Sequence, residues 1–240
     1  MPTDPSDTIV IVSAYQEADR LGSTLAALAH AFPGARVVVA DDGSRDGTDQ
    51  VALGAGVELV RTARTIGKGG AMTQAAERVM DAGARVYVLC DGDLGETARE
   101  LTPLASAVAA GHCDLAIAVF ARRVGGGFGA ALGFSRWATR RLAGLELSAP
   151  ISGQRALRGD VLRAVTPFAP RFGMETAMNV DAARAGFRVC EVELDLAHRA
   201  TGRTLGGFVH RIRQLADFLL VYLDRRRTGR ARAVSDGRRG

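Results

Sequence analysis

Two carboxylates, Asp91 and Asp93, stand one residue apart at the end of the apolar run 86–90. The run predicts a buried strand, and Gly92 between the acids allows the backbone to turn there. Because side chains alternate along an extended chain, both carboxylates are expected on one side. Paired carboxylate oxygens are hard ligands that suit Mg²⁺ or Mn²⁺. The spacing alone is more typical of an ordinary turn after a strand. Together with the motifs around it, the pair indicates a metal site that also receives a phosphate-bearing substrate.

A second acidic turn, Asp41–Thr48, follows the predicted strand Arg36–Ala40. Open α/β sheets bind ligands beyond the carboxyl ends of their strands. At that place the carboxylate of Asp41 or Asp42 could accept hydrogen bonds from a nucleobase or a ribose. A plain turn leading into the next helix is the alternative reading of the same residues.

A basic, glycine-rich loop, Thr62–Ala71, leads into a predicted helix. Backbone N–H groups at a helix start, together with Arg64 and Lys68, suit a diphosphate. Lys68 is the only lysine of the chain. The loop is not a P-loop, because Thr62 stands where the first glycine is needed and no Ser or Thr follows the lysine.

The elements that must position these residues form a repeating β-α pattern. Five strands alternate with helices, which predicts an α/β fold with a mostly parallel central sheet flanked by helices. The acidic turns and the lysine loop follow the first four strands and should therefore share one rim of the sheet. The predicted strands are Thr8–Ala14, Arg36–Ala40, Val57–Val60, Val86 to about Cys90, and Leu115–Val119.

The pattern changes after residue 120. A segment rich in Gly and Arg, Ala121–Gly133, is expected to be disordered without ligand. It is followed by predicted helices over Phe134–Leu145, Asp160–Val165, 175–184 and 207–225, by an extended segment at Ile151–Leu157 and by a strand over Phe187–Leu196. We predict one domain over 8–224, with a nucleotide-binding half (8–120) and an acceptor half (121–224). Residues 1–7 are a predicted N-terminal tail, and residues 225–240 are a predicted basic tail that is disordered without ligand.

Composition limits the class of protein. No apolar stretch reaches the roughly 18 residues of a membrane span. Residues 225–240 hold seven arginines and one aspartate, a charge of +6, which leaves −1 for residues 1–224 out of the total of +5. A basic tail of this kind is more often a solvated end than a reader of nucleic acid, so no nucleic-acid partner is expected. We expect a cytoplasmic protein with peripheral contact to the inner face of the membrane through 207–240. The three cysteines are expected as reduced thiols.

Five ordered motifs together resemble family 2 glycosyltransferases of the GT-A fold. They are Ser13-Ala-Tyr-Gln-Glu17, Asp41-Asp-Gly-Ser-Arg-Asp-Gly-Thr48, Gly67-Lys-Gly69, Asp91-Gly-Asp93 and Ser152-Gly-Gln-Arg-Ala-Leu-Arg158. The last motif resembles the branch that makes polyprenyl-phosphate sugars, such as dolichyl-phosphate mannose synthase. Gln154 departs from that branch, which has Phe at this position.

The resemblance implies metal-dependent, inverting transfer of a hexose from a UDP- or GDP-sugar. It assigns Mg²⁺ or Mn²⁺ to Asp91, Asp93 and His198, and catalysis to Glu175, Asp93 and Arg155. In this assignment Glu175 is the base that deprotonates an acceptor hydroxyl. The implied donor site comprises Ala14, Tyr15, Glu17, Asp41, Asp42, Arg64, Lys68, Asp91, Gly92, Arg199 and Arg203.

The acceptor stays open between two chemistries. Polyprenyl phosphate is favoured by the Ser152–Arg158 motif, the amphipathic final helix and the basic tail. A small hydroxyl compound is favoured by Glu175 and Gln154. Other function classes are a nucleotidyltransferase and a nucleotide-sugar-binding protein without transfer activity. A homodimer is also an expectation.

Overall fold

The computed structural model describes residues 7–121, 129–170, 173–196 and 219–226, which form one α/β domain around a seven-stranded sheet. The sheet order is β3-β2-β1-β4-β6-β5-β7. The strands are β1 (Thr8–Ala14), β2 (Arg36–Asp41), β3 (Glu58–Arg61), β4 (Val86–Asp91), β5 (Leu115–Phe120), β6 (Arg155–Arg158) and β7 (Val189–Leu194). The predicted fold class is confirmed.

Helices cover both faces of the sheet. They are α1 (Leu21–Ala31), α2 (Thr48–Gly54), α3 (Lys68–Val79), α4 (Thr102–Ala109), α5 (Gly129–Ala143), α6 (Gly159–Val165), α7 (Met174–Arg184) and α8 (219–226), with a 3₁₀ helix at Gly95–Leu101. The prediction of disorder up to Gly133 is wrong for its last five residues, since α5 already begins at Gly129. The prediction of disorder from Arg225 onwards is likewise wrong for Arg225 and Arg226, which belong to α8. Residues 122–128, the start of the predicted helix 207–225 and residues 227–240 lie outside the described ranges.

β6 is antiparallel to both of its neighbours, β4 and β5, whereas the other pairs of strands are parallel. A strand that runs against the others begins at the rim where its neighbours end. The residues just before β6 therefore reach the carboxyl end of β4, with Arg155 paired to Leu89 in the register.

The core has two layers, one on each face of the sheet. Alternation along β1 places Val10 and Val12 in one layer and Ile9 and Ile11 in the other. Because helices cover both faces, the strand has no solvent side, which accounts for its continuous β-branched run. Complete burial of each such side chain stabilises the fold by about 1.5–3 kcal/mol.

The carboxyl ends of β1, β2 and β4 meet at one rim, as predicted. The register pairs Ala14 of β1 with Asp41 of β2, and Ser13 of β1 with Asp91 of β4. Asp41 and Asp91 thus flank the end of β1. Both acidic turns are tied back to this strand, because Asp42 N donates to Ala14 O at 3.0 Å and Gly92 N to Ser13 O at 2.8 Å.

Two of the three cysteines are paired. Cys113, just before β5, and Cys190 in the adjacent β7 form a disulfide with a Cα–Cα distance of 5.9 Å, whereas Cys90 is a buried free thiol. The expectation of reduced thiols is therefore wrong for this pair. The two cysteines are 77 positions apart, and the sequence pattern does not show that β5 and β7 are neighbours in the sheet. Among the described residues, no helix combines the length and the apolarity that crossing a membrane requires.

Candidate active site

An ion-paired cluster of three side chains lies at the rim. Lys68 Nζ is 2.7 Å from Asp91 Oδ1 and 2.8 Å from Glu175 Oε1. Lys68 is the first residue of α3, Asp91 ends β4 and Glu175 lies in the first turn of α7. Three elements that are far apart in sequence thus contribute one charged group each, and the single lysine bridges both carboxylates.

Asp91 has partners at both of its oxygens. Ser13 Oγ donates to Oδ1 at 2.9 Å, and Gln154 Nε2 donates to Oδ2 at 3.1 Å. Burial alone would raise the pKa of Asp91, but the charge and hydrogen bond of Lys68, with the two further donors, hold it below its usual range. Burial would likewise lower the pKa of Lys68, yet Asp91 and Glu175 raise it above its usual value. Both groups are therefore charged at neutral pH.

Gly153 allows the segment before β6 to approach this cluster. A Cβ on Gly153 would lie 2.5 Å from Asp91 Oδ2 and 2.8 Å from Lys68 Nζ. Only glycine leaves both atoms in place. The antiparallel direction of β6 brings Gly153 and Gln154 here, and neither was among the predicted site residues.

Arg155 is not on the surface of the site. Its side chain is 0% exposed, and it donates through Nε to Ser152 O (2.8 Å), through Nη1 to Asn179 Oδ1 (2.6 Å) and through Nη2 to Pro150 O (3.0 Å). Burial lowers the pKa of Arg155 to about 10. The predicted direct role in catalysis requires an accessible guanidinium. In this geometry Arg155 instead fastens the segment before β6 to α7.

The two aspartates of the second turn are engaged with backbone. Asp42 accepts the N–H of Ile66 at Oδ1 and that of Gly67 at Oδ2, both at 2.8 Å, and so organises the loop that precedes Lys68. Asp41 is fully buried and accepts the N–H of Ser44 at Oδ1 at 3.0 Å. Its Oδ2 lies 3.2 Å from Arg61 Nε without a well-aligned hydrogen bond. Because this oxygen is itself buried, the contact of Asp41 with a nucleobase stays a prediction.

The remaining predicted donor residues lie along the same rim or outside the described residues. Tyr15 is 50% exposed, next to the turn after β1. Ala14 and Gly92 belong to the backbone contacts that join β1 to the acidic turns, Glu17 begins α1 through its carbonyl, and Arg64 is exposed. The predicted roles of His198, Arg199 and Arg203 fall on residues outside the described ranges.

The donor set at the end of β4 fits a divalent ion that its substrate helps to hold. Asp91 and Asp93 supply carboxylate oxygens, and Mg²⁺ is commonly bound by one or two carboxylates plus substrate phosphates and water. The described residues contain no group of three or more His, Cys, Asp or Glu side chains arranged around a metal position. Asp91 and Asp93 are the residues that would hold the ion.

Known proteins share this architecture. The family model "Glycosyl transferase family 2" matches residues 9–163. An undecaprenyl-phosphate mannosyltransferase of Micrococcus luteus is 32% identical over 84% of this chain and 88% of its own length. A polyprenol monophosphomannose synthase of Mycolicibacterium smegmatis is 31% identical over 81% of this chain and 79% of its own length.

Solved structures show the same fold. Glucosyl-3-phosphoglycerate synthase from Mycobacterium tuberculosis in complex with Mn²⁺, UDP and glucosyl-3-phosphoglycerate superposes with a TM-score of 0.73 at 23% identity, covering 91% of this chain and 79% of that chain. The same enzyme with Mg²⁺ and UDP gives a TM-score of 0.74 at 23% identity over 91% and 78% of the two chains. The family match spans well over half of the chain, and the motifs that it covers meet at one rim. This protein is therefore a glycosyltransferase that belongs to family 2.

Proposed function

We propose that this glycosyltransferase moves a hexose from a UDP- or GDP-sugar to polyprenyl phosphate, with Mg²⁺ or Mn²⁺ and with inversion at the anomeric carbon. The observation that carries the proposal is the position of Glu175, whose carboxylate is held at 2.8 Å by Lys68. The two relatives at 31–32% identity, whose names specify polyprenyl-phosphate and polyprenol acceptors, support the same choice.

The ion pair of Glu175 bears on the acceptor. A general base must present a free lone pair to the proton that it removes. Glu175 is only 7% exposed, and one of its two carboxylate oxygens is paired with Lys68, so an acceptor hydroxyl has little access to this carboxylate. A hydroxyl acceptor would need such a base, whereas a phosphate monoester is already ionised and attacks without one. The geometry therefore favours the phosphate acceptor over the hydroxyl acceptor that the sequence left open.

In the proposed reaction an oxygen of the acceptor phosphate bonds to the anomeric carbon. The bond from that carbon to the donor's diphosphate oxygen breaks, and the nucleoside diphosphate leaves with the electron pair. A single displacement of this kind inverts the configuration. Lys68 holds Asp91 in its charged form, and its ammonium offers positive charge close to the departing diphosphate. Asp91 and Asp93 would hold the divalent ion, which neutralises charge that develops on the leaving group.

Transfer of radiolabel into an organic-extractable product tests the proposal. The enzyme is given polyprenyl phosphate and labelled GDP-mannose, UDP-glucose or UDP-galactose, each with Mn²⁺, with Mg²⁺ or with EDTA. We expect metal-dependent transfer from one donor, and a loss of about a hundredfold or more in Asp93→Asn.

The matched control is Asp81→Asn, whose side chain is 87% exposed and lies before the amino end of β4, whereas Asp91 and Asp93 lie at its carboxyl end. It should transfer at the wild-type rate. Metal-independent transfer, or equal activity of Asp93→Asn and the wild type, would contradict the assignment of the metal. Transfer to a hydroxyl compound with none to polyprenyl phosphate would overturn the acceptor. A donor-induced rise in melting temperature is a second readout of the same site.

A further inference from the structure

Two neighbouring helices expose an unusual amount of apolar surface. Trp137 of α5 is 49% exposed, and Leu219, Leu220 and Leu223 of α8 are 46%, 63% and 37% exposed. These are four of the seven exposed large apolar side chains in the part of the chain that the structure describes. Contiguous exposed patches of this kind mark binding surfaces more often than chance exposure does.

The leucines face outward because the other side of α8 is fastened to α7. Val221 packs against Ala177, and Arg225 Nη2 pairs with Asp181 Oδ2 at 2.7 Å. Successive residues of a helix are about 100° apart, so the side opposite Val221 and Arg225 carries Leu219 and Leu223, with Leu220 on its flank. Rotating the helix to bury these leucines would break the anchoring pair.

Trp137 extends this apolar surface onto α5. Its ring lies 4.8 Å from that of Tyr222 and 5.5 Å from that of Phe134, measured between centroids. The aromatic contacts join the two helices into one surface. We call the surface formed by Trp137, Leu219, Leu220, Tyr222 and Leu223 the α5–α8 face.

The charge around this face is positive. The exposed side of α5 places Arg136, Arg140 and Arg141 around Trp137, and Arg226 is exposed on α8. Two acidic side chains lie among them, Glu146, which pairs with Arg140, and Asp224 of α8, so the four arginines are in excess. Beyond Arg226, the sequence adds five arginines and one aspartate, a charge of +4, over residues 227–240. Tryptophan and leucine side chains surrounded by arginines are typical of segments that lie in the interface of an anionic bilayer. A two-fold contact with a second copy would instead set these arginines against one another.

The α5–α8 face adjoins the ion-paired cluster. Val221 shares a small buried cluster with Ala169 and Ala177, and the carbonyl oxygen of Ala169 abuts Gly69 so closely that a side chain at Gly69 has no room. Gly69 directly follows Lys68 in α3. These contacts place the inner side of α8 near the end of α3 that carries Lys68, so a bilayer in contact with the α5–α8 face would lie close to the cluster.

We propose that the α5–α8 face docks on an anionic phospholipid surface, with Trp137 and the leucines of α8 entering the interface. The link to the acceptor rests on the proposed function, whereas the docking itself requires neither donor nor acceptor. The only tryptophan of the chain lies in this face, so its fluorescence reports contact directly.

The test titrates the full-length enzyme with vesicles of phosphatidylglycerol and phosphatidylcholine, or of phosphatidylcholine alone, without donor or acceptor. With anionic vesicles we expect a blue shift of the Trp137 emission, quenching by brominated acyl chains and co-sedimentation that weakens with salt. The double variant Leu220→Ser/Leu223→Ser should bind the vesicles at least about tenfold more weakly than the wild type, because two apolar side chains no longer enter the interface.

Leu53→Ser is the matched control, because Leu53 of α2 is 62% exposed, as Leu220 is, but lies on another helix. It should bind vesicles as the wild type does. An unshifted Trp137 spectrum with anionic vesicles would overturn the proposal. So would a concentration-dependent dimer, measured by light scattering, that the leucine double variant abolishes, since the face would then belong to a second copy.

The two proposals can fail separately. Transfer to a short-chain, water-soluble prenyl phosphate does not need a bilayer, so the leucine double variant should retain wild-type transfer to it and lose transfer to vesicle-borne acceptor. Vesicle binding without any transfer to prenyl phosphates would contradict the proposed acceptor and leave the docking face standing. Transfer without vesicle binding would do the reverse.

Discussion

Gly153 is the position at which one added methyl group should disturb the candidate active site most. Its α-carbon faces the ion pair, and an added methyl would displace either Asp91 Oδ2 or Lys68 Nζ. We predict that Gly153→Ala lowers the rate of sugar transfer about a hundredfold, since a shift of about 1 Å in a catalytic group costs that much. Overpacking should also lower the free energy of unfolding by about 1–3 kcal/mol. Steady-state rates and urea unfolding measure the two effects.

Gly133→Ala is the control for this variant. Gly133 lies within α5, and a Cβ there meets nothing within 4 Å. Its transfer rate should equal that of the wild type, and its stability should rise by up to about 1 kcal/mol, as expected for alanine in a helix. Equal rates for Gly153→Ala and the wild type would mean that the close approach has no part in transfer.

At this scale the sequence predicted residue types better than their contacts. Asp91 and Lys68 were singled out separately, as a metal ligand and a diphosphate contact, and the structure joins them in one ion pair. Asp42 was predicted to bind the base, and the structure shows that it orders the loop before Lys68. Pairings between residues more than 20 positions apart depend on the sheet order, which a local pattern does not contain.

Among the elements, β6 has the largest influence on the site. The β-α repeat predicted a parallel sheet, and this holds for every described pair of strands except those made by β6. The segment Ile151–Leu157 was predicted as extended, without a direction. Its reversal follows from the break in the repeat after β5. The hydrophobic run of a buried strand is the same in either direction, so the sequence does not predict the direction of β6. Gly153 reaches Asp91 because β6 is antiparallel and lies between β4 and β5.

Arg155 holds this reversed element in place. Its guanidinium donates to Pro150, Ser152 and Asn179 through three different nitrogen atoms. A lysine has one nitrogen and cannot reproduce these three hydrogen bonds. We predict that Arg155→Lys lowers the free energy of unfolding by about 3 kcal/mol, because the charge stays buried while the planar fork of donors is lost. Urea unfolding measures the loss.

The double variant Arg155→Lys/Asn179→Ala should lose less free energy of unfolding than the sum of the losses in the two single variants, because the two residues share one hydrogen-bond network. Arg99→Lys is the comparison, at an exposed arginine of the 3₁₀ helix, and should change stability by less than about 0.5 kcal/mol. A stable Arg155→Lys protein with lost donor binding would instead point to direct contact with substrate.

The molecule has two ionic clusters at opposite ends of the strands of its sheet, one in the candidate active site and one that joins neighbouring strands. The candidate active site lies at the carboxyl ends of the parallel strands, and a second ionic cluster lies at the opposite ends of neighbouring strands. There Asp114 accepts from Arg188 Nη2 and from Arg158 Nη1, both at 3.1 Å. These residues stand before β5, before β7 and at the end of β6, so the cluster fastens three adjacent strands.

The cluster predicts a specific dependence of stability on pH. The hydrogen bonds from Arg188 hold the pKa of Asp114 below its usual value of 3.8. A carboxyl group whose pKa is lower in the folded state stabilises that state fully above its unfolded pKa, and the contribution disappears as the pH falls through the folded pKa. Asp114→Asn should therefore lower the free energy of unfolding by about 1–3 kcal/mol at pH 7 and by progressively less below pH 3.8.

Thermal unfolding between pH 7 and pH 2.5 tests this expectation. The curves of wild type and Asp114→Asn should converge at the acid end, while exposed Asp81→Asn should follow the wild type throughout. A constant gap between wild type and Asp114→Asn would show that the loss comes from packing and not from the charge.

The ion pairs of Lys68 with Asp91 and Glu175 can also be followed by chemical modification of the unaltered protein. Since the chain has one lysine, an amine-directed acylating reagent has two targets, the α-amino group and the centre of the active site. Acylation requires the unprotonated amine, and the two carboxylates keep Lys68 as an ammonium ion. The extent of acylation of a single peptide, read by mass spectrometry, therefore reports every event that breaks or tightens these ion pairs, without any engineered label.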